Sequence, residues 1–168
     1  MNYDFEDIQR KVKCSITELI KFDAFLLDKN VNERSITHKL AEYLQQEFRY
    51  WDVDCEYNKM WKDVDIDKKT INLQDEKVSI YDTDTPTVFP DIIIHKRENK
   101  NNLIAIEVKK SKNHTNRDKD EIKLKKFTSK QFNYSLGLNI ILNVSDDFGK
   151  PSFLRWYKDE EIFHEEYC

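Results

Sequence analysis

The chain has 168 residues, 36% charged and 39% hydrophobic, with 12% Phe, Trp and Tyr and a net charge of −4. That length suits one domain with room for a core, and the aromatic content excludes a disordered composition. Two Gly and three Pro leave little linker material, no apolar run approaches the roughly 20 residues that cross a bilayer, and the acidic start MNYDFEDIQRK lacks the pattern of a signal peptide, so a cytoplasmic domain spanning 1–168 is expected, with no membrane partner.

Residues 5–22, FEDIQRKVKCSITELIKF, place Ile8, Val12, Ile16, Leu19 and Ile20 at helical spacing. Acids come early and Lys21 late, as the helix dipole prefers. With the apolar patch AFLL and the break DKN, this forms an N-terminal helical extension over 1–31. Asn32 suits the N-cap of a second helix, 33–48, with Ile36, Leu40, Tyr43, Leu44 and Phe48 on its apolar face. Glu33 lies three before Ile36 and seven before Leu40, so it shares that face.

DVDCEYN, 52–58, alternates with period two and predicts a half-buried strand. Residues 59–88 are polar and read as an insertion between strands, with TINL or KVSIY a candidate short strand. DIIIH and LIAIEVK predict two strands joined by the turn-forming ENKNN. A helix is predicted over 117–128, with Ile122, Leu124 and Phe127 apolar, then strands over 136–144 and 152–157. The whole predicts an α/β or α+β domain built on a central mixed sheet flanked by helices. Cys14, Cys55 and Cys168 are odd in number and far apart, which predicts reduced thiols rather than a zinc site.

The hairpin carries charges that an apolar strand pair does not need. Side chains alternate faces along a strand, so Glu107 and Lys109 point the same way, about 7 Å apart. A turn centred near Asn99 and Lys100 returns Asp91 to that end. Two carboxylates a few ångströms apart repel unless a cation lies between them. Mg²⁺ takes oxygen ligands, and a metal with a neighbouring ammonium can activate water and stabilise charge on a phosphate. Solvated charges at an exposed strand end are the competing reading of these residues.

Pro90-Asp91 followed by Glu107-Val108-Lys109 resembles the PD-(D/E)xK motif of the nuclease superfamily that includes many restriction endonucleases and Holliday-junction resolvases. The predicted order from residue 32 to about 144 is similar to that family's αβββαβ core. The resemblance implies a restriction-endonuclease-like fold and a metal-dependent nuclease acting on DNA, with RNA a further candidate. It implies Mg²⁺ as cofactor, with Mn²⁺ able to substitute. Asp91 and Glu107 would be metal ligands, joined by the carbonyl of Val108 and by Glu33 through water. Lys109 would be the catalytic lysine. Lys123 and Gln131 are candidates for substrate contacts after the hairpin.

Residues 96–130 hold 12 Lys and Arg against 5 Asp and Glu, and the remainder holds 16 against 27. This segregation fits either a phosphate-binding face or a solvated helix. On the first reading, Lys110, Lys112, Arg117, Lys119, Lys123, Lys125 and Lys126 contact phosphates. The acidic remainder favours a second class of function, a catalytically inactive module that binds nucleic acid or a partner protein within a defence or mobile-element system. Cutting both strands of a duplex needs two sites, which makes a homodimer a further expectation. His95 shares the face of Asp91 by alternation, whereas His38, His114 and His164 are scattered. Trp51, Trp61 and Trp156 suit core packing or base stacking.

Overall fold

The computed structural model describes residues 3–56, 89–97, 101–113 and 117–168. The candidate strands within 59–88, the end of the strand expected over 52–58, Trp61 and His114 lie outside these residues.

Helix α1, Phe5–Phe22, begins at Asp4, whose side chain accepts a hydrogen bond from the Glu6 N–H. It buries Ile8, Val12, Ile16 and Leu19, the predicted stripe, while Ile20 is only partly covered. The AFLL patch is itself a one-turn helix, α2, Ala24–Asp28. Helix α3, Glu33–Glu47, starts at the expected cap, with Asn32 Oδ1 accepting from the Arg34 N–H at 2.8 Å. Its buried stripe is Ile36, Thr37, Leu40, Ala41 and Leu44.

Strands β1 (Asp52–Cys55), β2 (Ile92–His95) and β3 (Asn102–Lys110) form an antiparallel meander. Helix α4, Arg117–Phe127, then crosses to β4, Tyr134–Leu142, which pairs parallel to β3. A parallel pair needs such a crossover, because its strands start at the same end of the sheet. Strands β5 (Phe153–Lys158) and β6 (Glu161–Tyr167) continue antiparallel, giving one six-stranded sheet in chain order. The chain is thus an α/β protein with N-terminal helices, a mixed open sheet and one inserted helix. From α3 to β4 the elements follow the predicted order of helix, three strands, helix and strand.

Alternation sends the two faces of the sheet to different helices. Ile92, Ile94, Ile104, Ile106, Val108, Leu136, Leu138 and Ile140 pack with α1 and α3 in the main core. Ile93, Ala105 and Tyr157 pack with Leu124 and Phe127 of α4 in a smaller one. Burying each large aliphatic side chain contributes roughly 1.5–3 kcal/mol, so the first face is the principal source of cohesion. Trp156 is fully buried there. Trp51 is half-buried, with the Lys96 ammonium over its ring. The three cysteines are free and half-buried.

Three expectations change. The sequence places Ile122 on the apolar face of α4, yet it is 50% exposed; Asp120 and Lys123 are turned inward with Leu124 and Phe127. The spacing 120, 123, 124, 127 is one helical face, so the buried stripe of α4 is half charged. The C-terminal strand β6 was not expected. Its sequence EIFHEEY is exposed along nearly its whole length, so edge pairing holds it without an apolar alternation to announce it. Finally, the last two long strands begin and end one or two residues from the expected bounds, a shift within ordinary variation at element ends.

Candidate active site

The smaller face of the sheet bears the charges. Ile92 pairs with Ile106 and Ile93 with Ala105, so the register carries Asp91 opposite Glu107, on the side covered by α4. Asp91 Oδ2 accepts a 2.8 Å hydrogen bond from the backbone N–H of Val108. That bond fixes the carboxylate beside the Glu107-Val108-Lys109 segment.

Glu107 is 1% exposed. Its Oε1 lies 2.6 Å from Nζ of Lys123, which is itself buried. The contact is an ion pair by distance but lacks hydrogen-bond alignment, and Oε1 accepts no aligned bond among the described residues. Burial first, and then the neighbouring Asp91 charge, push the Glu107 carboxyl up to about 8, despite the pull of Lys123. The Asp91 carboxyl is also raised, by burial against the opposing hydrogen bond from Val108.

Lys109 stands between two further acids, 3.5 Å from Asp120 Oδ2 and 3.6 Å from Glu33 Oε1. Burial works against its charge, but Asp120, Asp91, Glu33 and Glu107 together raise its pKa above the ordinary value. Burial raises the Asp120 carboxyl in turn, against the pull of Lys109. Glu33 Oε2 accepts from the Lys110 N–H and from the Asn113 side-chain amide, both at 3.1 Å. The cap at Asn32 therefore starts α3 where its first residue can reach across to the end of β3.

Four carboxylates (Glu33, Asp91, Glu107 and Asp120) thus meet two ammonium groups (Lys109 and Lys123). Fully ionised, the cluster carries two uncompensated negative charges. Asp120 was absent from the sequence reading, although its place one turn before Lys123 on the same helix face was a usable signal. Asn139 was also missed. It pairs in register with Glu107 on one side and Arg155 on the other, extending a polar row across the sheet to Glu165. Arg155 reaches Glu121 of α4 at 3.1 Å, which ties the helix to β5.

The other candidates disperse. Lys110 Nζ donates to the Val31 carbonyl at 3.0 Å. Lys112 pairs with Asp146, and Lys125 with Glu121. Arg117 donates to the Asn113 and Ser111 carbonyls. Lys123 is a buried partner of Glu107 and not the surface phosphate contact expected of it; the helix turns it inward. Lys119, Lys126 and Gln131 lie on or near the surface, and the two lysines make no ion pair among the described residues. His95 lies at the opposite end of β2 from Asp91, 2.9 Å from Asp54, which also holds Arg97. It belongs to that second cluster.

Among the described residues, no three His, Cys, Asp or Glu side chains are grouped to hold a metal ion by themselves. Asp91 and Glu107 bring two hard carboxylates to one side of the sheet, and Mg²⁺ is commonly held by one or two carboxylates alongside water and phosphate. No helix among the described residues is long and apolar enough to cross a membrane. No family model, curated protein or solved structure matches the chain.

Proposed function

We propose that the chain is a metal-dependent nuclease with a restriction-endonuclease-like core, hydrolysing phosphodiester bonds of DNA. The observation that carries the reading is the meeting of Asp91 with Glu107 and Lys109 at one end of the β2–β3 pair. The buried charge there is short of positive partners, and Glu107 Oε1 and Asp120 Oδ2 are buried without aligned hydrogen bonds. This donor set fits a hard divalent cation such as Mg²⁺, with Mn²⁺ as a substitute.

Asp91, Glu107 and the Val108 carbonyl would hold the ion, with Glu33 reached through water. When bound, the ion supplies Lewis-acid activation of water and neutralises charge on the phosphate. Lys109, steadied between Glu33 and Asp120, presents its ammonium to the attacking water or to the phosphate oxygens as negative charge grows. Asp91, anchored on Val108 N–H, fixes the direction of its remaining oxygen.

Incubation with plasmid and linear DNA in Mg²⁺ or Mn²⁺ tests this reading, with RNA as a parallel substrate. Cleavage that Asp91→Ala and Lys109→Ala abolish is the expected result. Equal cleavage by those variants removes the assignment. A second reading, an inactive module on the same core that binds nucleic acid or a protein, is supported by the internal use of Lys110, Lys112, Arg117 and Lys123. It expects no cleavage and no divalent-cation affinity that depends on Glu107.

A further inference from the structure

We infer that Lys123 and a divalent cation compete for the Glu107 carboxylate, so that this lysine sets the metal affinity of the site. The inference rests on the metal-dependent reading above and names how that site is controlled.

Lysine has a long, flexible stem and normally carries its ammonium to water. Helix α4 offers that option, since Asp118, Lys119 and Ile122 are exposed. Lys123 is 7% exposed instead, with its ammonium 2.6 Å from Glu107 Oε1. Glu107 is the most deeply buried acid of the cluster and accepts no aligned hydrogen bond at that oxygen. The contact is short but not aligned as a hydrogen bond at that oxygen, so another cation can compete for it. Lys109 is placed differently. It is shared by Glu33 and Asp120, so it remains anchored when Glu107 changes partner.

Lys123 thus fills the role of the cation for one ligand of the candidate site. A divalent ion that takes Glu107 must approach the ammonium or push it aside, and like charges at contact distance repel strongly in a buried setting. Removing the ammonium leaves Glu107 free for the ion. Lys123→Met keeps the length and apolar stem while deleting the charge.

Calorimetric titration of the full chain with MnCl₂ tests this, comparing the wild type, Lys123→Met, Lys123→Arg and Glu107→Gln. Lys123→Met is expected to bind Mn²⁺ about tenfold more tightly or better, and Lys123→Arg to stay near the wild type. Glu107-dependent binding in the wild type, with equal or weaker binding by Lys123→Met, overturns the competition and leaves the nuclease reading standing. No Glu107-dependent binding in either protein overturns both. Should Lys123→Met fail to fold, Mg²⁺ titration of the wild type by lysine-side-chain NMR decides. The Lys123 Nζ signal must change as the Glu107-dependent site fills, and an unchanged signal overturns the inference.

Discussion

Glu107 is a carboxyl group enclosed by its own fold, and its protonation sets part of the stability. An unfolded glutamate titrates near 4.3, whereas burial and Asp91 push Glu107 up to about 8 in the folded chain. Between these values the folded state keeps a proton that the unfolded state has released. Stability therefore falls as pH rises through this window, and the loss is complete above about 8. Asp91 and Asp120 are shifted in the same direction. In chelator-treated protein, the melting temperature of Glu107→Gln relative to the wild type is expected to rise between about pH 5 and pH 8.5. A flat difference contradicts the burial argument. The acids around Lys109 act on position. Asp120→Asn leaves the ammonium with one ion-pair partner, Glu33, and on the proposed nuclease reading cleavage is expected to fall about 10- to 100-fold, the usual cost of losing a residue that supports a metal site. Steady-state kinetics with supercoiled DNA checks this, with folding verified by circular dichroism.

Helix α4 matters at the scale of elements because it brings two of the six charged groups to the sheet. It approaches β4 at Gly137, where an added Cβ lies 3.2 Å from the Leu124 carbonyl oxygen and 3.2 Å from the Tyr157 Cβ. Gly137→Val forces the helix outward. A destabilisation of about 1–3 kcal/mol is expected from overpacking, measured by urea unfolding, and on the proposed nuclease reading cleavage is lost as Asp120 and Lys123 retreat. The start of α3 is the matching control on the other side. Asn32→Ala removes the cap that fixes Glu33 and is expected to cost about 1 kcal/mol, read from the same denaturation experiment. Strand β6 is held differently. Glu166 accepts from Gln9 at 2.6 Å and from the Trp156 indole at 3.1 Å, and it also pairs with Lys13. The strand is thereby fastened to α1, and its acids discourage its pairing with another chain.

At the scale of the whole molecule, net charge and salt response are linked. The chain is acidic overall, and much of its basic segment is engaged internally. Lys119, Lys126 and Lys130 of that segment make no ion pair, ring contact or side-chain hydrogen bond among the described residues, whereas Lys96 lies over the Trp51 ring and Lys110 and Arg117 donate to carbonyls. Each phosphate neutralised contributes about −0.9 to the slope of log affinity against log salt. On the proposed nuclease reading, DNA binding by the metal-free chain is therefore expected to show a slope of about −3 or shallower, measured by fluorescence anisotropy across a salt series. A steep slope identifies a basic surface beyond these three lysines.

The sequence determined the local elements and the linear ingredients of the site. Asn32 and the stripes of α1 and α3 specified helices because caps and 3.6-residue periodicity act within a few turns. Two apolar runs around a polar turn specified the β2–β3 pair, and their register brought Asp91 to Glu107 through period-two alternation. Tertiary structure decided which charges were enclosed. Asp120 and Lys123 look like ordinary members of a lysine-rich helix until α4 lies on the sheet and turns them inward. Asn139 gains its place only when β4 pairs in parallel with β3. The strand β6 forms because β5 offers it hydrogen bonds and Glu166 finds partners on α1 and β5. Burial and electrostatic coupling depend on contacts between residues far apart in the chain, and local pattern does not encode them.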